Sequence, residues 1–216
     1  GELAGLIAVD WYPVPWAPVA TISREMRSAR LAAQGRPFLA LLQAFDWNAF
    51  PELIRGGPPL RGPTPEELRC MAYLSLFQGA RGILFYSYQA ESWRLREHPR
   101  MWEAVTTLAS ELKTNAPIFE ERAAWWPVET HYEDPGAMYN EIHEGAIALN
   151  LFRVRRPSGS IAPGHYIVAI NTTARPVAFA YRLPTGAGEW VSRTYEPFEV
   201  AIDGPIQSPI ATERLP

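Results

Sequence analysis

The sequence predicts an α/β part followed by an all-β part. Residues 1–119 contain three short apolar runs, and each run precedes a stretch with helical periodicity. Residues 120–216 contain short alternating runs that are separated by turns rich in Gly, Pro, Ser and Asn. Near-continuous apolar runs are typical of parallel strands covered on both faces. We therefore expect three parallel strand–helix units followed by an antiparallel β-sandwich.

Each predicted parallel strand ends in a cluster of aromatic, carboxylate and amide side chains. The strands cover residues 6–9, 38–42 and 82–85. The clusters that follow them are Asp10-Trp11-Tyr12-Pro13, Gln43-Ala44-Phe45-Asp46-Trp47 and Tyr86-Ser87-Tyr88-Gln89. Because (β/α) barrels build their active sites at the carboxyl ends of strands, this pattern predicts a sugar-binding site on part of a barrel. A parallel sheet of three strands has an unpaired strand at each edge and cannot close into a barrel. We therefore expect this chain to be the C-terminal part of a larger protein.

A helix is expected after each of these strands. The predicted helices cover residues 22–34, 65–78 and 99–112. The second has the clearest start, because Thr64 can act as the N-cap, Pro65 suits the first turn and Glu67 completes a capping box. These would be the outer helices of a barrel.

Helical periodicity is poor beyond Pro117, and short strands replace it. They are predicted at residues 146–154, 166–171, 177–183, 190–195 and 198–202. We place the boundary near residues 119–124, which gives a partial barrel over residues 1–119 and a β-sandwich over residues 120–216. Trp125 and Trp126 are expected to fill the space between the two.

The composition and net charge argue against some classes of function. The chain has 216 residues and a net charge of −3, which is too small to steer nucleic acid towards it. No apolar run reaches transmembrane length and no leader is visible, although Gly1 lies so close to a strand that a leader could precede it. We expect a soluble protein of unknown compartment, secreted or periplasmic if such a leader exists. Cys70 is expected to be a buried thiol.

Several segments resemble one family. Residues 79–88, preceded by residues 63–69, resemble the last βα unit of glycoside-hydrolase-type TIM barrels, which often carry a C-terminal β-sandwich. Residues 43–47 resemble the end of strand seven in such proteins, and residues 10–13 resemble the end of strand six. Residues 166–173 resemble an inner strand of the appended sandwich.

This resemblance implies the last three units of a TIM-type barrel and a β-sandwich, as part of a glycosidase acting on O-glycosidic bonds of an oligo- or polysaccharide. In the retaining barrel glycosidases the acid/base follows strand four and the nucleophilic Glu follows strand seven. Strand four has no counterpart here, and Gln43 stands where that Glu is expected. A neutral amide cannot be the nucleophile, so the chain alone should be inactive or nearly so.

Asp10 and Asp46 are the remaining candidates for catalytic carboxylates. Glycoside hydrolysis uses two carboxyl groups that flank the scissile bond, about 5–9.5 Å apart. Asp10 directly follows an apolar strand and precedes Trp11 and Tyr12, and Asp46 lies between Phe45 and Trp47 in the cluster that follows the second strand. The alternative is structural, since a carboxylate at such a position can also cap a loop or pair with an arginine.

The candidate substrate-binding residues are mostly aromatic. They are Trp11, Tyr12, Gln43, Trp47, Tyr86, Tyr88, Gln89 and Trp93. Sugar rings present flat C–H faces that pack against aromatic faces. Each aromatic residue alone could equally belong to the core, and Gln43 could satisfy buried backbone groups instead of a substrate.

Other chemistries find little support in the sequence. The four histidines have no metal-ligand spacing, and no phosphate-binding or dinucleotide-binding loop follows a strand. We therefore expect no metal, no cofactor, no nucleic acid and no membrane among the partners. Two alternatives to an enzyme stay open. One is a non-catalytic carbohydrate-binding protein, and the other is a partial barrel that assembles with a second copy or a complementing chain through its open sheet edges.

Overall fold

The computed structural model describes residues 5–53, 58–121, 128–183 and 189–206, so Trp125 and Trp126 lie outside the described residues. The α-helices are α1 (Thr21–Ala33), α2 (Pro65–Phe77) and α3 (Pro99–Asn115). The strands of the first half are β1 (Ile7–Trp11), β2 (Phe38–Gln43), β3 (Ile83–Tyr86), β4 (Gln89–Ala90) and β5 (Trp93–Arg94). Those of the second half are β6 (Glu129–Tyr132), β7 (Ile147–Val154), β8 (Gly164–Asn171), β9 (Val177–Arg182), β10 (Val191–Tyr195) and β11 (Val200–Ile206).

The prediction of a partial TIM-type barrel followed by a β-sandwich is wrong. The described residues form three α-helices and four small sheets of two or three strands, and these sheets are mostly antiparallel. Their strand orders are β1-β2-β3, β10-β9-β6, β11-β8-β7 and β4-β5, and none of them is closed. The structure is therefore a mixture of helices with open sheets.

The physical reason is that closure is a property of the whole sheet. A barrel needs strand number, tilt and stagger that are mutually consistent over about eight strands. The apolar runs at the start of the chain specify only that β1, β2 and β3 are parallel neighbours, with α1 and α2 as the intervening connections. Nothing in three such runs dictates curvature.

The second half also departs from a separate sandwich, because its sheet β11-β8-β7 is covered on both faces. One face shares a core with the helices. Residues of that face are Phe152, Val154, Tyr166, Val168, Ile170 and Val200, which pack in one cluster with Leu68 and Met71 of α2. The other face packs against sheet β10-β9-β6 through residues such as Ile167, Phe179 and Tyr195. The division between residues 119 and 120 stays a prediction.

Consecutive strands at the end of the chain enter different sheets. β10 pairs with β9, whereas β11 pairs with β8. Only four residues separate β10 from β11, and Phe198 among them has a positive φ of 57°. This turn sends the chain from one sheet to the other, which an alternating sequence pattern cannot reveal.

The predicted start of α2 is confirmed. Thr64 Oγ1 accepts a hydrogen bond from the Glu67 backbone N–H at 3.2 Å, and Glu67 accepts one from the Thr64 N–H at 2.8 Å. The helix α1 begins differently, because no side chain caps it. Thr21 instead donates to the Pro18 carbonyl at 2.7 Å and accepts from the Trp11 indole N–H at 2.8 Å.

Asn171 ties three segments of the second half together. Its side-chain NH₂ donates to the carbonyls of Arg175, Tyr195 and Glu196 at 2.8, 3.1 and 2.9 Å. Its Oδ1 accepts from both the N–H and the hydroxyl of Thr173. The residue is fully buried, so the side chain has a structural role.

The sheet β1-β2-β3 is covered on one face only. Val9, Ala40 and Phe85 belong to the core shared with the helices. On the opposite face, which we call the open face, Leu6 is 51% exposed and Leu84 is 45% exposed. A parallel sheet normally has cover on both faces, so this face is available for binding.

Neither a membrane span nor a metal cluster emerges from the described part of the chain. No helix there has both the length and the apolar character that crossing a bilayer requires. The same residues contain no group of three or more His, Cys, Asp or Glu side chains placed to hold a metal ion. Cys70 is buried, and burial raises the pKa of its thiol.

Candidate functional site

Polar and aromatic side chains gather at the carboxyl ends of β1, β2 and β3. Asp10 is in register with Leu41 of the central strand, and Gln43 is in register with Tyr86 of β3. Because side chains alternate along a strand, Asp10, Gln43 and Tyr86 project on the side of the open face. Tyr12 follows two residues after Asp10, just beyond β1.

Tyr12 and Tyr86 form a stacked pair across the central strand. Their ring centroids are 5.7 Å apart and their planes differ by 21°. Phe45 packs edge-on against both rings at 5.4 and 5.9 Å, and it also contacts Trp47 and Phe50. Tyr86 is nevertheless 40% exposed. The pair therefore presents a supported aromatic surface to solvent.

Gln43 is buried on the central strand, between the strands that carry the two tyrosines. Its Nε2 donates to the Phe45 carbonyl at 3.3 Å, while its Oε1 finds no hydrogen-bond partner among the described residues. The same is true of the hydroxyl of buried Ser87, at the end of the adjoining strand. Buried polar atoms usually have a hydrogen-bond partner. Two buried polar atoms without one among the described residues are therefore an unusual feature of the carboxyl end of this sheet.

Asp10 supplies a negative charge next to the tyrosine pair. Its carboxylate is exposed on β1. The pKa of Tyr12 is raised, first by burial, then by the charge of Asp10 and by Tyr86. The Tyr12 hydroxyl is therefore a neutral donor near pH 7. A carboxylate acceptor and a phenol donor stand together beside an exposed ring.

Two of the predicted binding aromatics have structural roles. Trp11 alternates with Asp10, so it faces the helices, where it is held by its hydrogen bond to Thr21. Trp93 is almost fully buried, donates its indole N–H to the Ser87 carbonyl at 3.0 Å and stacks on His98 with centroids 3.8 Å apart. Neither ring offers a face on the open side of the sheet.

Asp46 and Trp47 hold the loop after β2. Asp46 Oδ1 accepts from the backbone N–H and the side-chain Nδ2 of Asn48, each at 2.8 Å. Trp47 donates its indole N–H to the Val14 carbonyl at 2.7 Å. In these contacts Asp46 caps the loop and Trp47 packs in it. They agree with the structural alternative for these two residues and not with a role in binding or catalysis.

The two candidate carboxylates face different parts of the molecule. Asp10 stands on the open face, whereas Asp46 lines a mostly apolar groove of about 940 Å³ between α2 and α3. Arg61 lines the same groove, and the pKa of its guanidinium is raised, first by its hydrogen bond to Glu67 and last by the charge of Asp46. Their catalytic roles stay predictions, and this placement gives no support for a pair across one glycosidic bond.

The third strand end continues into an exposed aromatic surface. Tyr88 is 56% exposed, and its ring lies 6.3 Å from that of Trp102 at the start of α3. Gln89 is exposed in the short hairpin β4-β5. Arg96 lies over the rings of Tyr88 and Trp102, and neither Arg96 nor Trp102 was expected at this site. The predicted helix over residues 99–112 contains Trp102 but did not indicate this contact.

Comparison with protein-family models, with curated proteins and with solved structures finds no match for this chain. The chemistry of the site is therefore argued from its own residues.

Proposed function

We propose that this chain binds an oligo- or polysaccharide at the carboxyl ends of β1, β2 and β3. Tyr86 is the ring on which a sugar packs, Tyr12 supports it, and Asp10 accepts hydrogen bonds from sugar hydroxyls. The observation that carries the proposal is the Tyr12–Tyr86 stack, which leaves one ring 40% exposed beside an exposed carboxylate.

The chemistry of such a surface suits a sugar. A pyranose ring has an apolar C–H face and a rim of hydroxyls, so it needs a flat apolar partner and nearby hydrogen-bonding groups. Tyr86 is braced by Phe45 and Tyr12, so little side-chain freedom remains to be lost when a ligand binds. Asp10 and the Tyr12 hydroxyl supply an acceptor and a donor at the edge of the ring.

These residues favour the binding of a saccharide without its hydrolysis. In β1, β2 and β3, all of which the structure describes, Asp10 is the single acidic residue. Hydrolysis by the usual mechanisms needs a second carboxyl group within about 5–9.5 Å. We propose that a glycosidase role, if the complete protein has one, uses Asp10. Turnover that Asp10→Asn leaves unchanged would remove Asp10 from such a mechanism.

Replacing Tyr86 with alanine should weaken saccharide binding about tenfold or more, a loss of about 1.4 kcal/mol. The expected cause is loss of the stacking surface. Calorimetric titration with a panel of neutral oligosaccharides measures the effect. Tyr139→Ala is the control, because Tyr139 is a tyrosine outside this site and is more exposed than Tyr86. The proposal fails if wild type binds no saccharide, or if both variants bind as wild type does.

The open face favours a second candidate role, which is assembly through the free edges of sheet β1-β2-β3. We propose that a second copy or a complementing chain pairs with an edge and covers Leu6 and Leu84, which are each about half exposed. Unpaired strand edges and exposed apolar side chains on one sheet are the features that β-strand addition uses.

Replacing Leu84 with lysine should shift such an assembly towards single chains. A charge on the open face must lose its hydration when the face is covered. Light scattering coupled to gel filtration gives the mass, which for one chain is 24.2 kDa. Leu31→Lys is the control, since Leu31 is an exposed leucine on α1. A wild-type protein that stays at the mass of one chain over the micromolar range would contradict the assembly role.

A further inference from the structure

The Arg96 cation packs against two aromatic rings that follow β3 in the sequence. The Arg96 guanidinium carbon is 5.9 Å from the ring centroid of Tyr88 and 5.1 Å from that of Trp102. The two rings are 6.3 Å apart with an interplanar angle of 65°. We call Tyr88, Arg96 and Trp102 the Arg96 cluster. Its geometry orients the guanidinium without the help of a carboxylate.

The charge of Arg96 is not neutralised by the acidic residues around it. Among the ion pairs that the described residues form, none involves Arg96. The neighbouring Glu97 and Glu103 line the groove between α2 and α3, which Arg96 and Trp102 do not. Arg96 is exposed, so its N–H groups are available to a ligand.

A guanidinium held in this way is suited to a carboxylate. Its five N–H donors lie in one plane, and two of them match the two oxygens of a carboxylate in a bidentate contact. A cation–π contact uses the face of the ring, so N–H groups of the exposed guanidinium stay free for such a contact. The aromatic partners also limit the rotamers of Arg96, which favours binding because less side-chain freedom is lost.

The Arg96 cluster begins two residues after Tyr86. Only buried Ser87 separates the two exposed tyrosines, so their backbones lie no more than about 7 Å apart. We propose that the ligand is an acidic oligosaccharide, in which one sugar packs on Tyr86 and the carboxylate of a neighbouring uronic acid binds Arg96. This inference rests on the proposed function and adds the chemical class of its ligand.

The test uses pairs of ligands that differ only in charge. Oligogalacturonides and glucuronic-acid-substituted xylo-oligosaccharides are each titrated as the free acid and as the methyl ester. We expect wild type to bind the acid at least fivefold more tightly than the ester in one of these pairs. Added salt should reduce that preference, because it screens an exposed ion pair.

Arg96→Gln should reduce the preference to less than twofold, because it should weaken binding of the acid much more than binding of the ester. Arg156→Gln, at an exposed arginine in another part of the chain, should keep the preference. Equal affinity for acid and ester, with Tyr86→Ala still weakening both, would overturn the acidic ligand and leave the saccharide site standing. Absence of binding to any ligand would overturn both. A preference for a sulfated neutral oligosaccharide, with none for the uronates, would overturn the carboxylate assignment.

Discussion

Replacing Phe45 with alanine should lower the free energy of unfolding by about 3–5 kcal/mol and weaken saccharide binding as well. Phe45 is almost fully buried. Its ring packs edge-on against Tyr12, Trp47, Phe50 and Tyr86. Truncation leaves a cavity at the point where the binding surface meets the core, and the Tyr12–Tyr86 stack loses its support.

Two measurements separate the stability effect from the binding effect. Thermal unfolding gives the loss of stability, and titration at a temperature where the variant is still folded gives the Kd. Phe179→Ala is the matched control. Phe179 is equally buried, but it packs with Tyr132 and Tyr195 in the second core. It should lose similar stability and keep wild-type affinity.

Two results would contradict the prediction for Phe45→Ala. If Phe45→Ala and Phe179→Ala bind saccharide equally well, the rings around Phe45 do not form the binding surface. If Phe45→Ala unfolds no more easily than wild type, the packing described for the end of β2 is wrong.

Replacing Asn171 with alanine should lower the free energy of unfolding by about 3 kcal/mol and the melting temperature by about 6–12 °C. The substitution deprives three carbonyl groups of their donor, at Arg175, Tyr195 and Glu196. Arg175 and Glu196 lie in the connections between sheets β11-β8-β7 and β10-β9-β6, and Tyr195 is the last residue of β10, so the loss affects the packing between the two sheets.

Asn171→Asp tests whether loss of the side-chain NH₂ donor is the cause of the lower stability expected for Asn171→Ala. It keeps the oxygen that accepts from Thr173 but removes the NH₂ group. A carboxylate facing three carbonyl oxygens is repelled by them, so this variant should be at least as unstable as Asn171→Ala. Chemical denaturation of both variants measures the difference. A variant with aspartate that is as stable as wild type would show that the three donor contacts contribute nothing.

Local features of this fold could be predicted from the sequence because short-range physics determines them. The apolar runs located β1, β2 and β3, since each run is long enough for one buried strand. The capping box at Thr64 and Glu67 located the start of α2, because its two hydrogen bonds involve residues only three apart. Neither prediction needs information about distant parts of the chain.

The arrangement of the sheets could not be predicted in the same way. Whether three parallel strands curve into a barrel depends on strands and stagger beyond the local pattern. The exchange of sheets between β10 and β11 depends on a turn at Phe198, whose positive φ no sequence pattern announced. The double-sided burial of β8 depends on α2, about one hundred residues earlier in the sequence.

The candidate site was predictable in part. The alternation of side chains along β1 already separates Trp11 from Asp10 and Tyr12, so the sequence pattern contained the reason why Trp11 faces the helices. The roles of Trp93 and Arg96 are different, because each depends on contacts made after the chain turns back on itself. The cation–π contacts of Arg96 with Tyr88 and Trp102 have no sequence signature.

The most direct test of the saccharide site is an NMR titration that follows the aromatic ring and backbone signals during addition of an oligosaccharide. The predicted result is a set of concentration-dependent shifts at Tyr12, Gln43 and Tyr86. The signals of Tyr139 and Trp190, two exposed aromatic residues of the second half, should not change. Shifts confined to Trp190 or to other residues of the second half, with the strand ends unchanged, would contradict the site described here.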